Sequence, residues 1–169
     1  MMRAIGIDPG QNGGLAYLSP QKVEAVPMPK LSKLGAAYAG TPIDWAEVHR
    51  LLESWEAWTC DAVTIEKSHA MPSQGSSSTF KFGANFGGLL AVSSTLCIDY
   101  ELVVPRTWKK VVLGEDFEHD KEGTISFVKH HHPSLNLLAT SRSRKPHDGM
   151  ADAVAIAHYG IKQSTDTMS

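Results

Sequence analysis

The sequence is poor in the features that mark several functional classes. Only two of its 169 residues are cysteines, Cys60 and Cys97. They are far apart and sit in or beside apolar runs, which excludes a disulfide scaffold and a thiolate zinc site. Both read as small buried thiols of a reduced protein. No Gly-x-x-x-x-Gly-Lys run is present, so the sequence offers no phosphate loop of the nucleotide-hydrolase type. The longest apolar-rich stretch, Phe86 to Ile98, is too short and too interrupted to span a bilayer. No basic-then-apolar leader opens the chain, since Met1-Met2-Arg3 runs straight into strand-like sequence. A cytoplasmic protein with no membrane part is therefore expected. A net charge of −2 gives no overall attraction to nucleic acid.

The remaining composition is that of a globular domain, with 42% hydrophobic and 20% charged residues. The length suits one domain over 1–169, with 163–169 expected as a flexible tail. Charge is unevenly spread. Arg106, Lys109, Lys110, Lys121, Lys129, Arg142, Arg144 and Lys145 outnumber the five acids between 106 and 145, while acids dominate elsewhere. A metal site ringed by bases would look this way, and so would an ordinary solvated surface.

Periodicity predicts the element order β-β-β-α-β-α-β-α-α-α. Met2 to Asp8, Leu15 to Leu18 and Val23 to Val26 read as three strands, the first closed by a turn at Pro9 to Gly14. After a loop from Pro27 to Pro42, a helix is expected to begin at Thr41-Pro42, burying Trp45, Val48, Leu51, Leu52 and Trp55. Asp61 to Glu66 is a strand, and Ser68 to Ser78 a polar loop. Thr79 to Cys97 is a helix whose many glycines point to close approach by another element or a second subunit. Glu101 to Val104 is a strand; Arg106 to Leu113, Asp120 to His131 and His147 to Ile161 are helices. An α/β fold with a mixed sheet flanked by helices follows, its opening strands antiparallel and its later strands joined by crossovers.

Two of these strands end in an acid, at Asp8 and Glu66. Sites in open α/β sheets form at the carboxyl ends of strands. The last helix adds Asp148 and Asp152, whose i, i+4 spacing puts both on one face beside the apolar stripe Met150, Val154, Ala157 and Ile161. Carboxylates gathered in this way repel unless a cation separates them, and oxygen donors favour Mg²⁺ or Mn²⁺. Two ions about 4 Å apart would suit phosphodiester hydrolysis. Singly, each acid has a plainer reading. Asp8 suits a strand-ending turn, Glu66 a surface pair with Lys67 or Lys109, and Asp148 a first-turn helix acid. Asp152 resists such a reading, because acids on a buried helix face are unusual.

Taken together, Ile5-Gly6-Ile7-Asp8-Pro9-Gly10, Ile65-Glu66 and His147-Asp148-Gly149-Met150-Ala151-Asp152-Ala153 resemble the RuvC family of Holliday-junction resolvases, within the RNase H-like superfamily. The likeness runs through most of the chain, and the Asp-Gly-Met-Ala-Asp form fits a phage or virus-like branch best. Phe82 to Gly87 resembles the start of the helix that pairs subunits in that family, and Pro105 to Lys110 the segment carrying an active-site lysine. The resemblance implies an RNase H-like fold and a homodimer that cuts branched DNA symmetrically in a bacterial or phage-infected cell. Asp8, Glu66, Asp148 and Asp152 would hold Mg²⁺ or Mn²⁺, and Lys109 would stabilise charge at the cleaved phosphate. Arg106, Lys110 and Lys121 would hold the DNA backbone, and His69, Met71 or Phe80 would act as a wedge at the junction. The family places its last two metal-site residues three apart. Here position 149 is glycine, which leaves His147 as a further candidate metal or phosphate contact beside Asp148.

Other features read more plainly. Consecutive histidines point in different directions on a helix, so His130-His131-His132 is expected to be a solvated helix end. Ser141 to Pro146 is a loop, ordered on DNA or not. Trp45, Trp55 and Trp58 are expected as core or helix-packing residues rather than base-stacking platforms, and Trp108 either in the core or on the DNA side. Rival functions are an RNase H-like nuclease acting on branched DNA or RNA–DNA hybrids, and a junction-binding module without catalysis. A sugar-kinase or actin-like reading of Asp8 to Gly14 fails on length, since that fold needs two such lobes.

Overall fold

The computed structural model describes residues 2–32, 42–67 and 75–167. Its centre is a five-stranded sheet in the order β3-β2-β1-β4-β5. The strands are β1 Ala4–Asp8, β2 Gly14–Leu18, β3 Val23–Pro27, β4 Ala62–Glu66 and β5 Glu101–Val103. The first three pair antiparallel as a meander, while β4 lies parallel to β1 and β5 parallel to β4. The described helices are α1 Trp45–Ser54, α2 Ser76–Thr95, α3 Pro105–Leu113, α4 Lys121–His131 and α5 Asp148–Thr167. This is the RNase H-like mixed sheet with flanking helices. No described helix is long and apolar enough to cross a membrane.

The strands' period of two sorts their side chains into two cores. Ile5, Ile7, Leu15, Val63 and Ile65 face one way and pack with Val48 and Leu52 of α1 and Leu89 of α2. Ala4, Ala16 and Ala62 face the other way with Gly6, toward Ala151, Ala153, Ala155 and Ala157 of α5. Large residues on one face and small ones on the other set α5 unusually close to the sheet. A Cβ added to Gly6 would lie 2.1 Å from the Ala153 carbonyl oxygen and 2.4 Å from the Ala157 nitrogen. At the N-terminal end of α5, a Cβ on Gly149 would lie 2.3 Å from the Asn12 carbonyl oxygen. Backbone therefore rests on backbone along the whole seam between α5 and β1–β2.

Several boundaries differ from the sequence expectation for local physical reasons. The helix expected at Thr41-Pro42 begins at Trp45, where the Asp44 carboxylate accepts the Glu47 amide at 3.0 Å as a side-chain cap. Ile43 is instead buried and bridges Lys30 as a short extended pair. The serines ending the expected polar loop form the first turn of α2, with Gly75 at the cap position. Trp55, just past the end of α1, is buried, whereas Trp58 is 46% exposed on a short 3-10 turn at Ala57–Thr59 that buries only Ala57. The last helix continues past Ile161 through Thr167, so 163–167 is helical where a tail was expected. The close approach expected of the α2 glycines occurs at Gly88, which meets the Trp45 ring, whereas Gly83 and Gly87 face open space.

A Gly6→Ala variant tests the seam. With backbone on both sides, the added methyl forces α5 outward at a cost of about 1–3 kcal/mol. A thermal melt is expected to fall by roughly 2–4 °C for each kcal/mol lost. An unchanged melting temperature would show that α5 is not seated this closely.

Candidate active site

Asp8 and Glu66 each stand one residue beyond the last β1–β4 pair, Ile7 with Ile65, at the same end of adjacent parallel strands. The Gly149 contact with the Asn12–Gly13 turn holds the first turns of α5 against that end, bringing Asp148 and Asp152 beside Asp8. A cleft of about 310 Å³ is lined by Asp8, Gln11, Asn12, Lys121, Asp148 and Asp152. Glu66 adjoins it on the β4 side, where the charges of Glu66 and Asp152 act on one another.

The electrostatics follow from this placement. Burial pushes the Asp8 carboxyl up to about 6, helped by the Glu66 charge and opposed by the Gly10 amide, which donates to Oδ1 at 3.1 Å. Burial also lifts Asp152 to about 6, with the Asp8 charge adding to it and Lys109 opposing it. The Thr124 hydroxyl also acts on the Asp152 carboxylate and lowers its pKa, while among the described residues the buried Oδ1 accepts no hydrogen bond, an unusual state for a carboxylate oxygen. Glu66 is raised mainly by burial, while its Oε2 accepts from the Trp108 indole N–H at 2.7 Å. Asp148 is held below its ordinary value by an ion pair with the Lys121 ammonium.

The bases divide into two groups. Lys121, at the first position of α4, reaches Asp148 directly. Lys109 lies 5.3 Å from the centre of the Trp108 ring, and its charge acts on both Glu66 and Asp152. Arg106 and Lys110 are exposed on α3 at i−3 and i+1 from Lys109, where no described contact ties them to the carboxylates. Trp108 proves to be fully buried, so its role is to fix Glu66 rather than to stack on DNA.

His147 Nδ1 accepts the Met150 amide at 3.2 Å and so caps α5, which places the ring proton on Nε2. Phe80 is 75% exposed on the first turns of α2. His69 and Met71 lie outside the described residues. Sequence reasoning missed Lys30, whose ammonium donates to Asn12 Oδ1 at 3.1 Å on the rim of the cleft. It also missed Lys81, which with Phe82 lines a groove of about 300 Å³ running from Gly10 and Gln11 along α2. No local pattern marks these residues, because only the tertiary contact places them near the acids.

Hard carboxylate oxygens, mutual repulsion and one buried unpartnered oxygen are the donor set a divalent cation needs. In the conformation described, Lys121 engages Asp148 and Trp108 engages Glu66. Among the described residues, no three carboxylate, imidazole or thiol groups converge to ligating distance as they stand.

The chain is similar in structure to RuvC of Thermus thermophilus. Against that protein in complex with a Holliday junction substrate, the TM-score is 0.60 at 21% identity, covering 100% of this chain and 97% of the other. Against a second T. thermophilus RuvC structure the TM-score is 0.57 at 21% identity, with 99% and 96% covered. No family model matches the sequence, and no curated protein matches it. At this identity the likeness shows the fold.

Stability against pH tests the buried acids. Protonated, Asp8 and Asp152 tolerate burial; ionised, they do not. Their contribution is fully present below the ordinary value of 3.8 and is lost as pH rises through about 6. The histidines with lowered values act in the opposite direction over the same range, so the informative quantity is a difference between proteins. With divalent ions chelated, Asp8→Asn is expected to melt with the wild type below pH 4. It should become more stable as pH passes 6, by about 3 kcal/mol at most. Adding Mn²⁺ at pH 7 should stabilise the wild type and not the variant. A pH-independent difference between the two would remove the electrostatic account.

Proposed function

We propose that the protein is a divalent-metal-dependent endonuclease that resolves four-way DNA junctions by paired phosphodiester cuts. The observation that carries this reading is Asp152 Oδ1, a buried and unpartnered carboxylate oxygen beside a second buried acid, Asp8, at the C-terminal end of the central strands. The choice of substrate is supported by the fold's likeness to a RuvC solved with a Holliday junction. The form Asp148-Gly149-Met150-Ala151-Asp152 supports a place in the phage or virus-like branch, working in the cytoplasm of a bacterial or infected cell.

Asp8, Glu66, Asp148 and Asp152 would hold Mg²⁺ or Mn²⁺, two ions per site. The chemistry such ions supply is activation of a water and stabilisation of the leaving oxygen. The chain's own residues prepare for it. Trp108 fixes one oxygen of Glu66 by its 2.7 Å hydrogen bond and leaves the other for a ligand. Lys121 holds Asp148 in ion pair and releases it by turning a flexible, exposed side chain toward the substrate phosphate. Lys109 stands near Glu66 and Asp152, placed to offset charge building on the cleaved phosphate. Arg106 and Lys110 extend the same helix face and grip the backbone on either side. His147 keeps its Nε2–H free to donate to a phosphate oxygen while Nδ1 caps α5.

Two cuts on opposed strands need two sites. The exposed face of α2 carries Phe80, Gly83 and Gly87, and its glycines have open space beside them. This is a surface on which a second copy's helix can pack closely, forming a homodimer with both clefts on one side. Phe80, exposed on the first turns of α2, is the described candidate for the wedge that would unstack bases at the junction centre; the other candidates, His69 and Met71, lie outside the described residues.

The test is cleavage of a labelled four-way junction in Mg²⁺ and in Mn²⁺, beside duplex, Y-shaped and RNA–DNA hybrid controls. Symmetric paired nicks are expected, lost in Asp8→Asn and in Asp152→Asn. Lys109→Ala is expected to slow cutting about 10²–10³-fold, and Trp108→Phe about 10–100-fold. Preferential cutting of hybrids or Y-forms would replace the substrate. Junction binding with no cutting in either metal would overturn the enzyme.

A further inference from the structure

One stretch of the chain carries base without acid. Between Glu122 and Asp148 there is no aspartate or glutamate, yet the stretch holds Lys129, Arg142, Arg144 and Lys145. Two histidines of its run are engaged within the fold: His131 Nδ1 donates to the Phe127 carbonyl at 2.9 Å, and His132 and His158 share a hydrogen bond of 2.8 Å between their Nε2 atoms. The three cations nearest the cleft sit on a loop just ahead of α5. At its base, the His147 amide donates to the carbonyl of buried Leu137 at 2.7 Å. At its tip, the Ser143 amide donates to the Thr140 carbonyl at 3.0 Å, and the Thr140 amide donates to Ser143 Oγ at 3.2 Å. Half-buried Ser143 thus anchors the turn, while Arg142, Arg144 and Lys145 are exposed. Among the described residues these three form no ion pair, unlike Arg3, Lys22, Arg50 and Lys121.

We propose that this loop is a second DNA-binding surface, on which Arg142, Arg144 and Lys145 hold phosphates of the duplex arm that leads out of the cleft. The inference rests on the nuclease reading for the identity of the ligand, and extends it from the cut site to the arm. Placement supports it. Lys145 is three residues from Asp148 and Arg142 is six, so their backbones lie at most about 10 Å and about 20 Å from it. At 3.4 Å of duplex per base pair, that reach is about three to six base pairs. The loop is also continuous with the cleft rim. Lys30, hydrogen-bonded to Asn12 there, stands close enough to His147 for its charge to be felt on that ring. His147 follows Lys145 by two residues. A line of cationic and imidazole groups therefore runs from the rim to the loop tip.

The chemistry of the loop suits a phosphate backbone. A guanidinium presents its donors in a planar fork that matches a phosphate, and an ammonium adds a point charge beside it. The Thr140–Ser143 turn fixes the backbone that carries these groups, so less ordering is needed on binding than a mobile tail would need. Such contacts position a duplex and carry no sequence information. With a net charge of −2 the chain has no overall attraction for DNA, so local arrangement must supply it. Binding through the loop comes from release of counterions and falls steeply with salt.

The experiment is binding of a labelled four-way junction by the full chain in EDTA, at KCl from about 50 to 200 mM. The loop variant combines Arg142→Gln, Arg144→Gln and Lys145→Gln. A charge-matched control combines Lys22→Gln, Arg50→Gln and Lys162→Gln, all exposed and on other elements. The slope of log K against log salt is expected to be shallower by about 2–3 per protomer in the loop variant, and by less than about 1 in the control. Methylphosphonates placed about three to six base pairs from the crossover should weaken the wild type and leave the loop variant nearly unchanged. Equal slopes in wild type and loop variant, or an equal loss in the control, would overturn the proposal. So would a loop variant that keeps its grip on the junction but loses binding to polyglutamate, which would assign the loop to an acidic protein. Cutting in Mg²⁺ is scored separately. A wild type that binds through the loop and never cuts removes the nuclease reading and keeps the DNA surface. A wild type that cuts, with an unchanged slope in the loop variant, keeps the nuclease and removes the surface.

Discussion

The rest of the structure depends on backbone-to-backbone contact between α5 and the β1–β2 hairpin. Gly6 admits the carbonyl of Ala153, and Gly149 admits the Asn12–Gly13 turn. Side chains at either place would hold the helix off the sheet, because close-packed interiors have little room to yield. The alanines of α5 and the small residues of the facing strands extend the same seam. Its chemical consequence is that Asp152, on a helix, sits close enough to Asp8, on a strand, to feel its charge. Folding energy from the apolar seam thus offsets the cost of gathering acids at its end.

That cost is met in different ways at different acids. Asp148 is paired with Lys121, Glu66 is bonded to the buried Trp108, and Asp8 accepts an amide from its own turn. Asp152 has the Thr124 hydroxyl beside it, and among the described residues its Oδ1 is the buried side-chain oxygen left without a hydrogen-bond partner. Three answered acids around one unanswered oxygen form an asymmetric arrangement, and it is at the unanswered end that a cation gains most. Lys109, close to both Glu66 and Asp152, supplies positive charge on the side away from Lys121. The RNase H-like fold provides the frame, and these side chains give it a direction of chemistry.

Much of this was legible in the residues. Apolar runs that stop at an acid marked Asp8 and Glu66 as strand ends, and the i, i+4 spacing put Asp148 and Asp152 on one helix face. The sheet's mixed character followed from a tight meander succeeded by helical crossovers. The supporting contacts were not legible. Trp108 reads equally as core or surface until α3 is placed, and only then does its indole meet Glu66. Gly149 reads as a weak point in a helix, yet its lack of a side chain is what lets the helix start touch the hairpin turn. Thr41-Pro42 imitates a helix start, but Asp44 with Glu47 makes the better cap and Ile43 is drawn into a bridge with Lys30. Such competition between local signals is decided by tertiary contact. The histidine run offered no warning that His132 would meet His158, since 26 residues separate them.

The most direct test of the account is anomalous diffraction from crystals soaked in Mn²⁺. The account predicts density among the carboxylates of Asp8, Glu66 and Asp152, with Asp148 turned from Lys121 toward the ion. Ordered manganese elsewhere, with these four carboxylates unliganded, would contradict it.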